Sequence, residues 1–269
     1  MTFSLFDPAF IGSLTVGGGG GGYDTDAQAY ITAVEAADAA AGQSGGLETG
    51  VKDAINAFVV GCKADGIWPA IKASCILAGA RTLEGALVPL VGAAPTNFNF
   101  VSGDYNRKTG LVGDESTKYL NSNRSNNADP QNSKHIAVYA TIKGFISGRN
   151  AGYIGLGGSG TSIFASGSNQ TLVFAGINGG AVFDPINVVP GFIGANRSAS
   201  NNLQCRGGGA TLSNTTFSTA PVNASIDVFR HPNYSNARLA FYSIGEALNL
   251  AKLDARVTDL INKFAEVIP

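Results

Sequence analysis

Short apolar runs broken by glycine, asparagine and serine fill the second half of this chain, and they leave little choice of architecture. Six β-type runs occur after about Asn97, at residues 134–141, 152–156, 171–177, 188–193, 225–229 and 238–244. Each is short and bounded by turn-forming residues. Several strands at such spacing predict an antiparallel sandwich or barrel.

The residues before them have a different period. Thr25 followed by Gln28 predicts a capping box, and Ala27, Tyr30, Ile31 and Val34 continue at helical spacing. After a glycine-rich break at 42–46, Leu47, Val51, Ala54, Ile55, Phe58, Val59 and Cys62 make one apolar helical stripe. Gly66, after Asp65, predicts a left-handed stop. Pro69 suits the first turn of a third segment, and Trp68 beside Ile67 is expected in the core. At the other end Leu250, Leu253, Val257, Leu260, Ile261 and Phe264 mark an amphipathic helix. The expected organisation is an anchor peptide and tether at 1–22, a helical segment at 23–96, a sandwich at 97–248, and a helix at 249–269 packed on it.

A chain of 269 residues can bury a full core. Its 44% apolar content excludes intrinsic disorder. No apolar run reaches the roughly 18 residues of a membrane span. A net charge of −1 argues against a dedicated nucleic-acid binder. Charge is nevertheless uneven, with a balance of −5 over residues 1–96 and +5 over 97–245. The basic sandwich suits an anionic surface or glycan; equally, the two parts of one fold neutralise each other.

The first residues carry no basic region ahead of an apolar core, so no secretory signal is expected. Phe3, Phe6, Phe10 and Ile11 precede six consecutive glycines at 17–22. Such a run is a flexible tether, and the apolar peptide before it is either a plug docking on a partner or an edge strand folding back. Cys62, Cys75 and Cys205 have no metal-ligand spacing and read as small buried hydrophobes.

Tests for chemistry return little. Residues 155–160 (GLGGSG) match G-x-G-x-x-G, but a β-type run follows where a dinucleotide site needs a helix, so the match reads as a β-turn. His135 and His231 lack a Cys, Asp or Glu at ligand spacing and read as ordinary surface or sheet residues. Glycoside hydrolysis commonly needs two carboxylates a few ångströms apart, and no two acids of the β region stand at i, i+2. No catalytic residue, metal or cofactor is expected. What remains is two polar loops, 121–132 (NSNRSNNADPQN) and 196–202 (NRSASNN). Asn123, Arg124, Asn126, Asn127, Asp129, Asn196 and Arg197 are therefore the candidates for contacting sugar hydroxyls. The same residues also suit plain turn chemistry.

Residues 26–31 (DAQAYI), 54–59 (AINAFV) and 66–68 (GIW) resemble the opening of a family of bacteriophage virion proteins, and 238–246 (RLAFYSIGE) with the helix after it resembles that family's ending. The ending is also similar to laminin-G-like and concanavalin-A-like jelly rolls; residues 105–113 and 118–120 fit the early strands. The resemblance spans roughly residues 24–266. It implies a mainly β, antiparallel jelly-roll sandwich of the concanavalin-A-like type, carried on a virion as a tail fibre, head fibre or capsid decoration. It also implies a homotrimer, contacts with other virion proteins through the N-terminus, and host-glycan binding. The expected function is non-enzymatic and adhesive. The alternatives are a polysaccharide-degrading glycosidase on the same scaffold and a free lectin.

Overall fold

The computed structural model describes residues 22–157, 160–166, 173–179, 181–184 and 190–269. Phe3, Phe6, Phe10 and Ile11, the expected anchor, lie outside the described residues.

Helix α1 (Thr25–Ala40) starts one residue earlier than the expected capping box. Asp24 is the cap, its carboxylate accepting from the Asp26 amide, while Gln28 turns to Thr32 instead. A carboxylate at this end also meets the positive pole of the helix. Helix α2 (Thr49–Ala64) buries the whole predicted stripe, with Leu47 just ahead of it. It ends at Gly66, whose φ of +72° lets the Ile67 amide fold back to the Cys62 carbonyl. Pro69 sits in a single 3-10 turn, Trp68–Ala70. Trp68 is only half-buried, with the Lys63 ammonium 5.9 Å from its ring centroid, because it lies at the rim of the helical layer. A short helix, α3 (Leu83–Ala86), and the long α4 (Leu250–Val267) complete the helices. Asn249 caps α4 by accepting from the Ala251 and Lys252 amides.

Among the described residues, sixteen strands run in chain order: β1 (Ile71–Ile76), β2 (Pro89–Val91), β3 (Thr96–Phe98), β4 (Tyr105–Asn106), β5 (Gly110–Val112), β6 (Tyr119–Ser125), β7 (Lys134–Ile142) and β8 (Ala151–Gly155). Then follow β9 (Ser162–Ala165), β10 (Val173–Gly176), β11 (Ala181–Asp184), β12 (Gly191–Ala199), β13 (Asn202–Gly207), β14 (Ala210–Asn214), β15 (Ser225–Val228) and β16 (Arg238–Gly245). They form two antiparallel sheets. The first has the order β14-β13-β12-β7-β16-β1-β2, with β5 and β4 paired off β16; the second has the order β11-β10-β9-β8-β15-β6-β3. Gly155 ends β8 and pairs with Ser162 at the start of β9, so a strand follows the glycine-rich motif where a dinucleotide site needs a helix.

The sheets stack face to face, so the chain is the expected mainly β sandwich. Ile136, Val138, Tyr242 and Ile244 from the first sheet meet Tyr153, Ile163, Ala175, Ile226 and Val228 from the second. The first sheet is covered on its other side as well, where Ala137, Phe192, Ala240 and Phe241 pack under Ile55, Phe58, Leu253, Val257 and Phe264 of the helices. A bulge in β16 between Leu239 and Phe241 turns both Ala240 and Phe241 toward the helices. The molecule is thus three layers: helices, first sheet, second sheet. Segment 23–96, expected to be helical, also holds β1 and β2 of the first sheet and the start of β3. The three cysteines are free and buried.

Candidate functional site

Most of the expected glycan contacts are internal. Arg197 is fully buried, and its guanidinium donates to the carbonyls of Ile177 (2.9 Å), Gly179 (2.8 Å), Ser200 (2.8 Å) and Thr216 (3.1 Å). Asn196 is buried and accepts from the Leu248 amide at 2.9 Å, tying β12 to the approach of α4. Asp129 is buried in a two-toothed pair with Arg124. Asn126 donates to Asn178 at 3.1 Å, and its two oxygens accept from the ammonium of Lys134. Lys134, unmarked by the sequence, has no exposed surface, and its burial lowers its pKa to about 8. Asn123 and Asn127 alone among the seven are exposed. Asn123 donates to the Ala94 carbonyl at 2.8 Å, and Asn127 accepts from Ser125 at 2.6 Å. These side chains close one end of the sandwich, and buried polar groups so fully paired have little left for a ligand.

His135 is the sheet residue, and not the surface residue, of its two readings: it lies on β7 and is equally internal. Its Nδ1 donates to the Glu246 carbonyl at 2.6 Å and its Nε2 accepts from the Ser243 hydroxyl at 2.8 Å. Burial lowers its pKa to about 4.

The outer face of the second sheet differs. The helix contacts described above all fall on the first sheet. Side chains alternate along a strand, so with Leu120, Ile226 and Val228 in the core, Asn121 and Asp227 lie on the other face, while Tyr119 at the start of β6 is partly buried at the rim of that core. Register places Asp227 opposite Asn121 on one side and Gly155 on the other, and Tyr119 opposite Phe98. The Tyr119 ring lies between two partners. The Phe98 ring stacks on it at 4.3 Å and 5°, and the Arg230 guanidinium sits 3.9 Å from its centroid. Tyr234 meets the Tyr119 ring edge-on at 6.1 Å. Arg230 then reaches Asp227, its Nη2 donating to Oδ2 at 2.6 Å.

The backbone fixes Arg230. Residues 230 and 234 form a bridge, and the turn between them rests on β8, where the Gly152 amide donates to the Asn233 carbonyl at 3.2 Å. A Cβ on Gly152 would strike the His231 backbone and the Asn233 carbonyl, so only glycine lets the turn lie this close.

Asp227 is incompletely satisfied. The residue is 7% exposed, and its Oδ1 is covered from solvent and has no hydrogen-bond partner among the described residues. Desolvation is the main influence and raises its pKa, against the opposing pull of Arg230. The arrangement holds one covered, unpaired acceptor oxygen and, outside it, a more exposed guanidinium held by stacking and an ion pair. The sequence hides this, because a lone Asp on a strand looks ordinary. A second aromatic pair, Phe164 and Phe174, stacks at 5.0 Å on the same face. Among the described residues no cluster of His, Cys, Asp or Glu could hold a metal ion, and no helix is long and apolar enough to cross a membrane.

No family model matches the sequence, and no curated protein does. Solved structures similar to it include the botulinum neurotoxin serotype D binding domain, at TM-score 0.49 and 10% identity over 71% of this chain and 51% of that one. Domain 4 of a GH43 extracellular arabinanase from Geobacillus stearothermophilus, in complex with arabinotriose, matches at TM-score 0.41 and 10% identity, covering 62% of this chain and 82% of that one. Trypanosoma rangeli sialidase matches at TM-score 0.45 and 10% identity, over 88% and 37%. This chain spans about half the length of the botulinum domain.

Proposed function

We propose that this chain is a non-enzymatic, adhesive virion protein whose sandwich binds host-surface glycans on the outer face of its second sheet. The observation that carries the binding role is Asp227, a buried carboxylate with one unpartnered oxygen, paired to an arginine that the Phe98–Tyr119 stack immobilises. Carboxylates and arginines fixed before binding suit hydroxyl recognition, because their ordering cost is already met. The particle role rests on the sequence resemblance, with Phe3, Phe6, Phe10 and Ile11 as the anchor and a homotrimer as the assembly.

Two experiments test it. Glycan-array binding of the full chain should give specific signals that Arg230→Ala abolishes; an array without signals refutes the binding role. Deleting residues 1–22 should leave a folded protein that no longer joins particles; continued incorporation refutes the anchor. A glycosidase reading draws on the raised pKa of Asp227, a property of general acids. It also needs a second carboxylate, and among the described residues the charged partner of Asp227 is Arg230. Sustained release of reducing sugar from a host polysaccharide would favour it.

A further inference from the structure

On the far side of the molecule from that face, we infer that the apolar groove between α1, Trp68 and β2 seats this chain's own leading segment, residues 3–16. The groove holds about 340 Å³, and its walls include Asp26, Ala29, Ala33, Trp68, Leu90 and Val91. Asp26 is the one charged side chain in it, and the Lys63 ammonium already holds that carboxylate at 2.7 Å. Ala29 and Ala33 stand one turn apart on the exposed side of α1. Trp68, Leu90 and Val91 pack against the helical core but are only partly buried by it. β2 ends the first sheet and pairs with β1 alone among the described residues, so its other edge is open to further chain.

The point of entry names the occupant. Asp26, a wall of the groove, lies only four residues after Gly22. The residues between them are pinned to α2 and its end. The Tyr23 hydroxyl donates to Asp53 at 2.9 Å, and the Asp24 carboxylate accepts from Lys63 at 2.6 Å. Lys63 in turn sits 5.9 Å from the Trp68 ring centroid. The stretch ahead of Gly22 therefore comes out beside the groove. Six residues, Gly17 to Gly22, span at most about 20 Å and carry no side chain to obstruct a reversal. Ahead of them stand Phe3, Leu5, Phe6, Phe10, Ile11 and Leu14, with Asp7 the one charged side chain between residues 3 and 16. Apolar walls and an apolar segment match, and a segment on the same chain has a high effective concentration that a separate partner lacks. The seat goes beyond the particle role, since it keeps this stretch out of water when no partner is present.

Trp68 is the chain's one tryptophan, so its emission reads the groove directly. The test compares the full wild-type chain with two full-length variants. Phe6→Ser/Phe10→Ser weakens the segment, and Ala33→Glu puts a charge into the groove from an exposed helical position that suits glutamate. In Phe6→Ser/Phe10→Ser, Trp68 emission should move to longer wavelength and its acrylamide quenching constant should rise about twofold, as part of the indole returns to water. In Ala33→Glu, the amides of residues 3–16 should exchange faster with solvent than in wild type. The wild-type values of both measurements should not change with protein concentration. A Trp68 spectrum that Phe6→Ser/Phe10→Ser leaves unmoved overturns the inference, as does amide exchange of residues 3–16 that Ala33→Glu leaves unaltered. Wild-type protection that vanishes on dilution also overturns it, and assigns the groove to the segment of a second copy. Particle incorporation reads a different contact and tests the anchor separately.

Discussion

Arg197 separates a structural role from a ligand role most sharply, and Arg197→Met is the perturbation. Methionine keeps much of the side-chain volume and removes the cation. Four carbonyls then lose a charged donor. The bond to Ile177 is buried, and leaving that oxygen dry costs about 2–3 kcal/mol. The carbonyls of Gly179, Ser200 and Thr216 are part-buried, can take up water, and lose about 0.5–1 kcal/mol each. The sum is about 4 kcal/mol, reduced somewhat because a buried cation no longer has to be desolvated. With a urea slope near 3 kcal/mol/M, the unfolding midpoint should fall by roughly 1–1.5 M at constant slope. Glycan binding measured well below that midpoint should be unchanged. A variant that unfolds within about 0.3 M of wild type and yet loses glycan binding would place Arg197 in the ligand site and refute this reading.

Two further outcomes follow from the same structure. His135 is held neutral, with a pKa near 4 against 6.5 when unfolded. The unfolded chain therefore gains a proton that the folded one refuses as pH falls from about 6.5 to 4, and about 3 kcal/mol of stability is lost across that window. His135→Gln should flatten the acid limb of the urea midpoint against pH, and identical slopes would contradict the assignment. Gly152→Ala should push the 230–234 turn off β8, lowering glycan affinity at least tenfold while costing about 1–3 kcal/mol of stability. Titration and urea unfolding of one preparation check both, and unaltered affinity would detach the turn from the site.

The sequence reveals those elements whose pattern reflects one buried face. β7 alternates cleanly, sending Ile136, Val138 and Ala140 to one core and Ala137 to the other, and α4 shows its stripe at helical spacing. β1 is harder to read for a physical reason. IKASCI alternates apolar and polar residues at first, but a bulge between Ile71 and Ala73 sends Ile71 to the helical side and Ala73 and Cys75 to the inter-sheet core, so the alternation does not mark one buried face. The two polar segments, expected as loops, mislead differently, since Asn123 and Arg124 lie on β6 and Asn196 and Arg197 on β12. Composition reports that Asn126, Asp129 and Arg197 can make hydrogen bonds, but not that the Asn178 amide, the Lys134 ammonium and a ring of backbone carbonyls have already taken them.

The layering decides where function can reside, more than any motif does. A sandwich has two outer faces, and here α1, α2 and α4 bury one of them under a second apolar core. The end of the sandwich nearest the two polar loops is sealed by Lys134, Arg197 and their acceptors. That leaves the outer face of the second sheet, and the unsatisfied Asp227 oxygen lies there, beside an arginine fixed on both sides. An unpaired buried acceptor costs about 1–3 kcal/mol, but Ser74 Oγ and the Tyr242 hydroxyl are unpaired inside the first sheet as well, so what sets Asp227 apart is its pairing with a partly exposed arginine. Arg230 is the member of the pair that a ligand can reach, and that ties the stability of this face to its occupancy. A saturating glycan ligand should therefore raise the urea midpoint of wild type and leave that of Arg230→Ala unmoved.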